Sequence, residues 1–153
     1  MYKVLFVCHG NICRSPMAEF IFRDMLEKRS ITGIYAESAA TSTEEIGNPV
    51  HYGTAAVLRR LGIDYSKKRA RQMTRADAAE FDLLIGMDGA NIRNMTRIAG
   101  EKYAPKIHLL LEFSGSARDI ADPWYTGEFE TTYRDVCEGC EGLIGWLSRG
   151  GII

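Results

Sequence analysis

The sequence predicts an α/β fold, a three-layer sandwich in which a mostly parallel sheet lies between two layers of helices. Three features carry that expectation. Short apolar runs alternate along the chain with longer segments whose apolar residues recur at helical spacing. The runs are continuous rather than alternating, as in strands buried on both faces. Glycine, proline and asparagine punctuate the joints. Strands alternating with helices build right-handed βαβ units. A chain of 153 residues suits a single domain, 1–153, with a substantial core.

The elements follow in order. Residues 3–8, Lys-Val-Leu-Phe-Val-Cys, form the first buried strand. A loop with Gly10 and Asn11 follows. Ser15-Pro16 then opens a helix, with serine as the cap and proline in the first turn. Met17, Ile21, Phe22, Met25 and Leu26 give that helix its apolar face, and it has ended near Gly33. Ile34 to Ser38 reads as a second strand. Asn48-Pro49 starts a second helix carrying Val50, Ala55, Val57, Leu58 and Leu61, which stops at Gly62. Residues 63–73 read as a basic loop, Phe81 to Met87 as a third strand, residues 89–99 as a third helix and Lys106 to Leu110 as a fourth strand. A long loop with Gly115 and Asp122-Pro123 leads to the last helix. Its apolar stripe is Phe129, Tyr133, Val136, Cys137, Cys140, Ile144 and Leu147. Ligands of such sheets bind outside the carboxyl ends of the strands, which singles out residues 8–15, 38–47, 87–89 and 111–125.

The formal net charge is -1, so no global basic field invites nucleic acid. Any anion must be held locally. The apolar run Val4 to Val7 is too short for a signal peptide or a membrane span. A soluble cytoplasmic protein is expected, and with it reduced thiols at Cys8, Cys13, Cys137 and Cys140. Their spacing, without a suitably placed histidine, does not suggest zinc, so neither metal nor cofactor is expected.

The chemistry concentrates in Cys8-His9-Gly10-Asn11-Ile12-Cys13-Arg14-Ser15-Pro16, between a strand end and a helix start. A loop of this length can turn successive N–H groups inward as an anion nest. Gly10 is free to take backbone angles closed to other residues, and Asn11 tolerates the left-handed region. The helix N-terminus adds partial positive charge, and Arg14 offers a planar fork matched to two phosphate oxygens. A thiol among such groups favours its thiolate, the nucleophilic form. Ser15 can donate to the sulfur and help it leave. A lone Cys-(x)5-Arg spacing is weak, but the whole string in strand–loop–helix context is specific.

At Val7 through Pro16 the chain matches the pattern V-C-x-G-N-x-C-R-S-P, and it closely resembles the low-molecular-weight protein tyrosine phosphatase family. Ala70-Arg71-Gln72, Met87-Asp88, Asp122-Pro123-Trp124-Tyr125 and the cysteine-bearing last helix look like further landmarks of that family. The resemblance implies a four-stranded parallel sheet of the flavodoxin-like phosphotyrosine phosphatase I type and metal-free hydrolysis through a phosphocysteine. It implies Cys8, Arg14 and Asp122 as the catalytic residues. Substrate would be bound by His9, Gly10, Asn11, Ile12, Cys13 and Ser15, and by Trp124 and Tyr125 against an aromatic ring. A phenolate leaving group needs a proton, and Asp122 lies where a mobile carboxylic acid could bring one. The expected partner is a phosphorylated protein or a small aryl phosphate, with no nucleic acid and no membrane, and the protein is expected as a monomer or weak dimer. In the family, the cysteine matching Cys13 forms a reversible disulfide with the nucleophile.

Three positions depart from the family pattern or lie beside it. His9 stands on the pocket rim where many relatives have an apolar residue. Thr43-Glu44-Glu45 stands where eukaryotic relatives carry an aromatic pocket wall, and an acidic rim there would repel strongly acidic phosphopeptides. Lys68 replaces a histidine that supports the loop asparagine, which leaves Ser38 as a candidate donor to Asn11. Lys67, Lys68, Arg69 and Arg71 read as a solvated basic cluster, and Asp88 as support beneath the loop. The alternatives are a protein-arginine-phosphate phosphatase, a phosphocysteine carrier, a non-catalytic phosphate binder and a thiol-dependent arsenate reductase. The last needs further relay cysteines, and residues 63–104 contain none.

Overall fold

The structure is a computed structural model that describes residues 1–153. Strand β1 (Tyr2–Cys8) leads to helix α1 (Arg14–Lys28), then to β2 (Ile34–Ala40), α2 (Tyr52–Arg60) and α3 (Arg75–Glu80). Strand β3 (Leu83–Gly86), α4 (Gly89–Ala99), β4 (Ile107–Leu109), a four-residue α5 (Pro123–Thr126) and the long α6 (Phe129–Arg149) complete the order. Two 3-10 segments, Glu101–Lys106 and Leu110–Ser114, flank β4. All four strands are parallel, in the order β2-β1-β3-β4.

The continuous apolar run of β1 has a simple cause. Successive side chains of a strand point to opposite faces, and both faces of this strand are covered. Val4, Phe6 and Cys8 enter the larger core with Met17, Ile21 and Phe22 of α1 and Val136, Cys140 and Leu143 of α6. Leu5 and Val7 enter the other core with Phe81, Leu84, Met95 and Ala99. The Phe6 and Phe22 rings meet edge to face at 5.5 Å. Because β1 lies between β2 and β3, the loop leaving Cys8 emerges where the chain switches direction across the sheet, the usual crevice of such folds.

Several boundaries differ from those the sequence suggested. Helix α1 begins at Arg14 with Cys13 in the capping position and no side-chain cap, so Ser15 is not the cap. Helix α2 begins at Tyr52, capped by His51 rather than by Asn48. Residues 75–80, between the basic loop and the third strand, form a short helix opened by a capping box between Thr74 and Asp77. Strands β3 and β4 are shorter than their apolar runs because Phe81 closes α3 and Leu110 starts a 3-10 turn.

Helix α6 lies so close to the turn after β4 that two glycines are required there. A Cβ on Gly139 would stand 2.4 Å from Leu110 Cγ, and one on Gly142 would stand 2.4 Å from the Phe113 carbonyl oxygen. A side chain can yield, but a backbone carbonyl cannot. Alanine gains about 1 kcal/mol of helix propensity over glycine, whereas overpacking costs about 1–3 kcal/mol. Against an unyielding carbonyl the cost falls in the upper half of that range, so Gly142→Ala should lower stability by about 1–2 kcal/mol net, read as a lower denaturant midpoint at unchanged slope. An unchanged or raised midpoint would contradict this packing.

Candidate active site

The loop from His9 to Cys13 is held from outside by its carbonyls. The carbonyl of Cys8 accepts from Thr41 N (2.9 Å), that of His9 from Ser42 N (3.0 Å) and that of Ile12 from His51 N (2.9 Å). The Cys13 carbonyl accepts from Thr54 Oγ1 at 2.9 Å. The backbone N–H groups of residues 9–13 donate to no protein acceptor. A run of free amides just before a helix N-terminus is an anion nest. Asn11 is the residue that turns the chain, at φ 59°, a region asparagine enters at low cost. Gly10, expected to supply unusual backbone angles, has no positive φ. Its small size serves close approach instead, since a Cβ there would meet Glu45 Cγ at 3.3 Å.

Cys8 is buried at the end of β1, with its sulfur 3.0 Å from Ser15 Oγ and 3.4 Å from Ser15 N. Behind the loop runs a buried polar chain. Asn11 Nδ2 donates to Ser15 Oγ (2.8 Å) and to Ser38 Oγ (2.9 Å), and Ser38 Oγ donates to Glu19 Oε1 at 2.6 Å. Ser38 is thus an acceptor from Asn11, not the donor expected. Arg71 N donates to Asn11 Oδ1 at 3.2 Å. Lys68 Nζ donates to the Ser38 carbonyl at 2.8 Å and lies 3.6 Å from Glu19, which Arg23 also pairs at 3.1 Å. The Lys68 side chain is only 11 % exposed, so the basic cluster is not simply a solvated face. Burial lowers the Lys68 ammonium below the ordinary lysine value, and Glu19 opposes that shift.

Arg14 is 2 % exposed. Its Nη1 donates to Asp88 Oδ2 (2.6 Å) and to the Ile120 carbonyl (2.9 Å), and its Nη2 to Asp122 Oδ2 (3.3 Å). Burial alone would lower the guanidinium, but negative charge at Cys8 and the contacts with Asp88 and Asp122 outweigh it and push it up. A guanidinium has five N–H donors. Nε is buried with no partner, and one Nη2 hydrogen is also uncommitted. A buried unpaired donor costs about 1–3 kcal/mol, so the two free N–H groups form a fork with no internal use. Asp122 caps α5 by accepting from Trp124 N at 3.0 Å, which orients its carboxyl group over the loop.

Above Cys8 lies a pocket based on His9, Gly10, Ile12 and Cys13. Its walls are Glu44 and Glu45 from the loop after β2, and Asp122, Trp124 and Tyr125 from the segment after β4. Asn11, Arg14 and Ser15, each expected to touch substrate, are almost wholly buried behind this lining. His9 is on the rim as expected, hydrogen-bonded to Glu44 Oε2 at 2.8 Å. Cys13 lines the pocket as a neutral thiol, because burial and the negative charges at Cys8 and Asp122 push it far up. All four carboxyl-end segments contribute, the fourth through Asp88 at the start of α4.

His51 escaped sequence reasoning. Its Nδ1 accepts from Gly53 N at 3.1 Å, and its ring stacks between Tyr52 (4.3 Å) and Phe129 (5.2 Å) and meets the Trp124 edge at 5.5 Å. It therefore buttresses the pocket wall. Burial lowers its pKa, with Glu45 and Asp122 pulling the other way. The only sequence signal was a capping-competent residue before Tyr-Gly-Thr, masked by the stronger Asn-Pro pair upstream.

Comparison with known proteins identifies the family. Residues 3–150 match the family model for low molecular weight phosphotyrosine protein phosphatase. The chain is 44% identical to the low molecular weight protein-tyrosine-phosphatase YfkJ of Bacillus subtilis (strain 168), covering 97% of each chain. It superposes on the crystal structure of YfkJ with a TM-score of 0.93, covering 98% of this chain and 96% of that one. A low molecular weight protein tyrosine phosphatase from Streptococcus pyogenes, 43% identical, gives 0.84 over 97% and 93%. A drosophila arginine phosphatase, 30% identical, also gives 0.84, over 94% and 96%.

The Lys68–Glu19 pair anchors Asn11 and with it the left-handed turn of the loop. Lys68→Met leaves Glu19 buried with Arg23 as its remaining cation. Stability should fall by about 1–3 kcal/mol, and inhibition by inorganic phosphate should weaken severalfold, measured by denaturation and by steady-state inhibition. An unchanged inhibition constant would show that Lys68 plays no part in shaping the anion site.

Proposed function

We propose, for a chain that belongs to the low molecular weight phosphotyrosine protein phosphatase family, that Cys8 is the nucleophile, Arg14 the oxyanion clamp and Asp122 the general acid and base. The protein is a cysteine-dependent phosphatase. The observation that carries the assignment of residues is the pair of uncommitted N–H donors on the buried Arg14, beside the free loop amides and the Cys8 sulfur.

In the first step the Cys8 thiolate attacks phosphorus in line with the departing oxygen. The loop amides and the Arg14 fork hold the equatorial oxygens, where charge accumulates. The phosphorus–oxygen bond to the leaving group breaks, and Asp122 transfers its proton to that oxygen. In the second step Asp122, now a carboxylate, takes a proton from water as its oxygen bonds to phosphorus. The sulfur–phosphorus bond breaks, and the thiolate returns with the Ser15 hydroxyl 3.0 Å away to donate to it. The original Asp122 proton has left with the alcohol and water has replaced it, so Cys8 and Asp122 regain their starting states and the products are the alcohol and inorganic phosphate.

Trp124 and Tyr125 offer flat faces beside Asp122, which supports an aryl phosphate, and phosphotyrosine in a protein, as substrate. The arginine phosphatase among the structural neighbours makes phosphoarginine the comparison to run beside it. We place the enzyme in the cytoplasm. Its four cysteines are free thiols, and no helix is long and apolar enough to cross a membrane.

Cys8→Ser should abolish hydrolysis of aryl phosphates and of phosphotyrosine peptides. Asp122→Asn should cut kcat/KM by about 10²–10⁴ for phosphotyrosine and by much less for a phenol that leaves without a proton. Substantial turnover by Cys8→Ser, or an Asp122→Asn loss independent of the leaving group, would remove the respective role. Phosphotyrosine should exceed phosphoarginine in kcat/KM on matched peptides.

A further inference from the structure

The pocket mouth carries two carboxyl groups that the phosphatase reaction itself does not use. Glu44 and Glu45 both line it, beside the Asp122 of the reaction. Each of the two glutamates has a specific contact that places it. The stem of Glu45 lies against Gly10, and its Oε2 accepts from Asn48 Nδ2 at 2.5 Å. Glu44 is tied to the His9 imidazole, itself half-exposed on the rim. No lysine or arginine lines the pocket. The cation beneath it, Arg14, is buried, and toward the fold it is already committed to Asp88, the Ile120 carbonyl and Asp122.

A phosphoryl group that reaches the loop finds ample donors there. The parts of a substrate that stay outside meet the two glutamates, the His9 imidazole and the aromatic faces of Trp124 and Tyr125, with no lysine or arginine among them. Rim charges of this kind steer encounter and select among partners more than they add affinity. A second negative charge beside the phosphoryl group is repelled, while a cationic side chain beside it offsets the repulsion that the carboxylates exert on the phosphate itself.

We infer that Glu44 and Glu45 select phosphotyrosine segments in which basic residues flank the tyrosine, and disfavour those with acidic flanks. This rests on the phosphatase reading of the Cys8 site and names the substrate class within it. Glu44 and Glu45 are specificity determinants, and His9 positions Glu44.

The test uses three peptides of one sequence, with arginine, glycine or aspartate on both sides of phosphotyrosine, and the full chain as wild type and as the double variant E44Q/E45Q. At low ionic strength the wild type should hydrolyse the arginine peptide with a kcat/KM about fivefold to tenfold above the aspartate peptide, the size expected of one or two exposed charge contacts. The ratio should shrink toward one at high salt, where such contacts are screened, and likewise in E44Q/E45Q. A wild-type ratio near one, with the glycine peptide turned over normally, overturns the inference and leaves the phosphatase reading standing. A ratio that persists unchanged in E44Q/E45Q also overturns it, since the discrimination then comes from elsewhere. Failure to hydrolyse any of the three peptides removes the underlying reading, and the inference with it.

Discussion

The burial of one guanidinium organises the whole site. Taking a cation out of water is costly unless charge and hydrogen bonds replace the hydration. Around Arg14 two carboxyl groups and a main-chain carbonyl do so. Those three partners come from the start of α4 and from the segment after β4, so the residue that opens α1 also fixes where the chain returns at the far edge of the sheet. The partners do not exhaust its donors. Nε remains buried without a protein partner, a donor that a bound oxyanion would satisfy.

The phosphate loop is built on the same principle of outward satisfaction and inward need. Its carbonyls are engaged by Thr41, Ser42, His51 and Thr54, while its amides are left free. The left-handed turn at Asn11 is held by a chain of side chains running through Ser38 to Glu19 and Lys68. Removing one member of such a buried network costs more than its own hydrogen bond, because its neighbours are left unpaired. The supporting side chains therefore lie behind the pocket lining rather than in it.

Much of this was legible in the sequence. The string from Cys8 to Pro16 announced its chemistry because each residue type answers a separate demand of a dianion pocket, and its place at a strand end located the pocket. Asp122 was legible through the family resemblance and its place in the loop after the fourth strand, and Asp88 through its place at the end of the third. The fourfold alternation of apolar runs and helical stripes was enough for the sheet and its layers. Other features were hidden for physical reasons. Lys68 looked solvated because burial of a lysine depends on a partner, Glu19, that is 49 positions away. Gly10 suggested conformational freedom, whereas what matters is the space it leaves for Glu45. Helix α3 is six residues long, too short for periodicity to register, and only its capping box marked it. His51 is defined by its neighbour Tyr52 and by two rings, Trp124 and Phe129, that come from far along the chain.

A cage assembled in advance should hand the phosphoryl group to sulfur and nowhere else. The direct measurement is an acid-quenched reaction of Asp122→Asn with an aryl phosphate whose phenol leaves without a proton, followed by mass spectrometry of the digested protein. One phosphoryl group on the peptide containing Cys8, rising and decaying at rates that match turnover, is the expected result. Release of inorganic phosphate with no phosphoryl group ever found on Cys8 would contradict the cage as the seat of covalent chemistry.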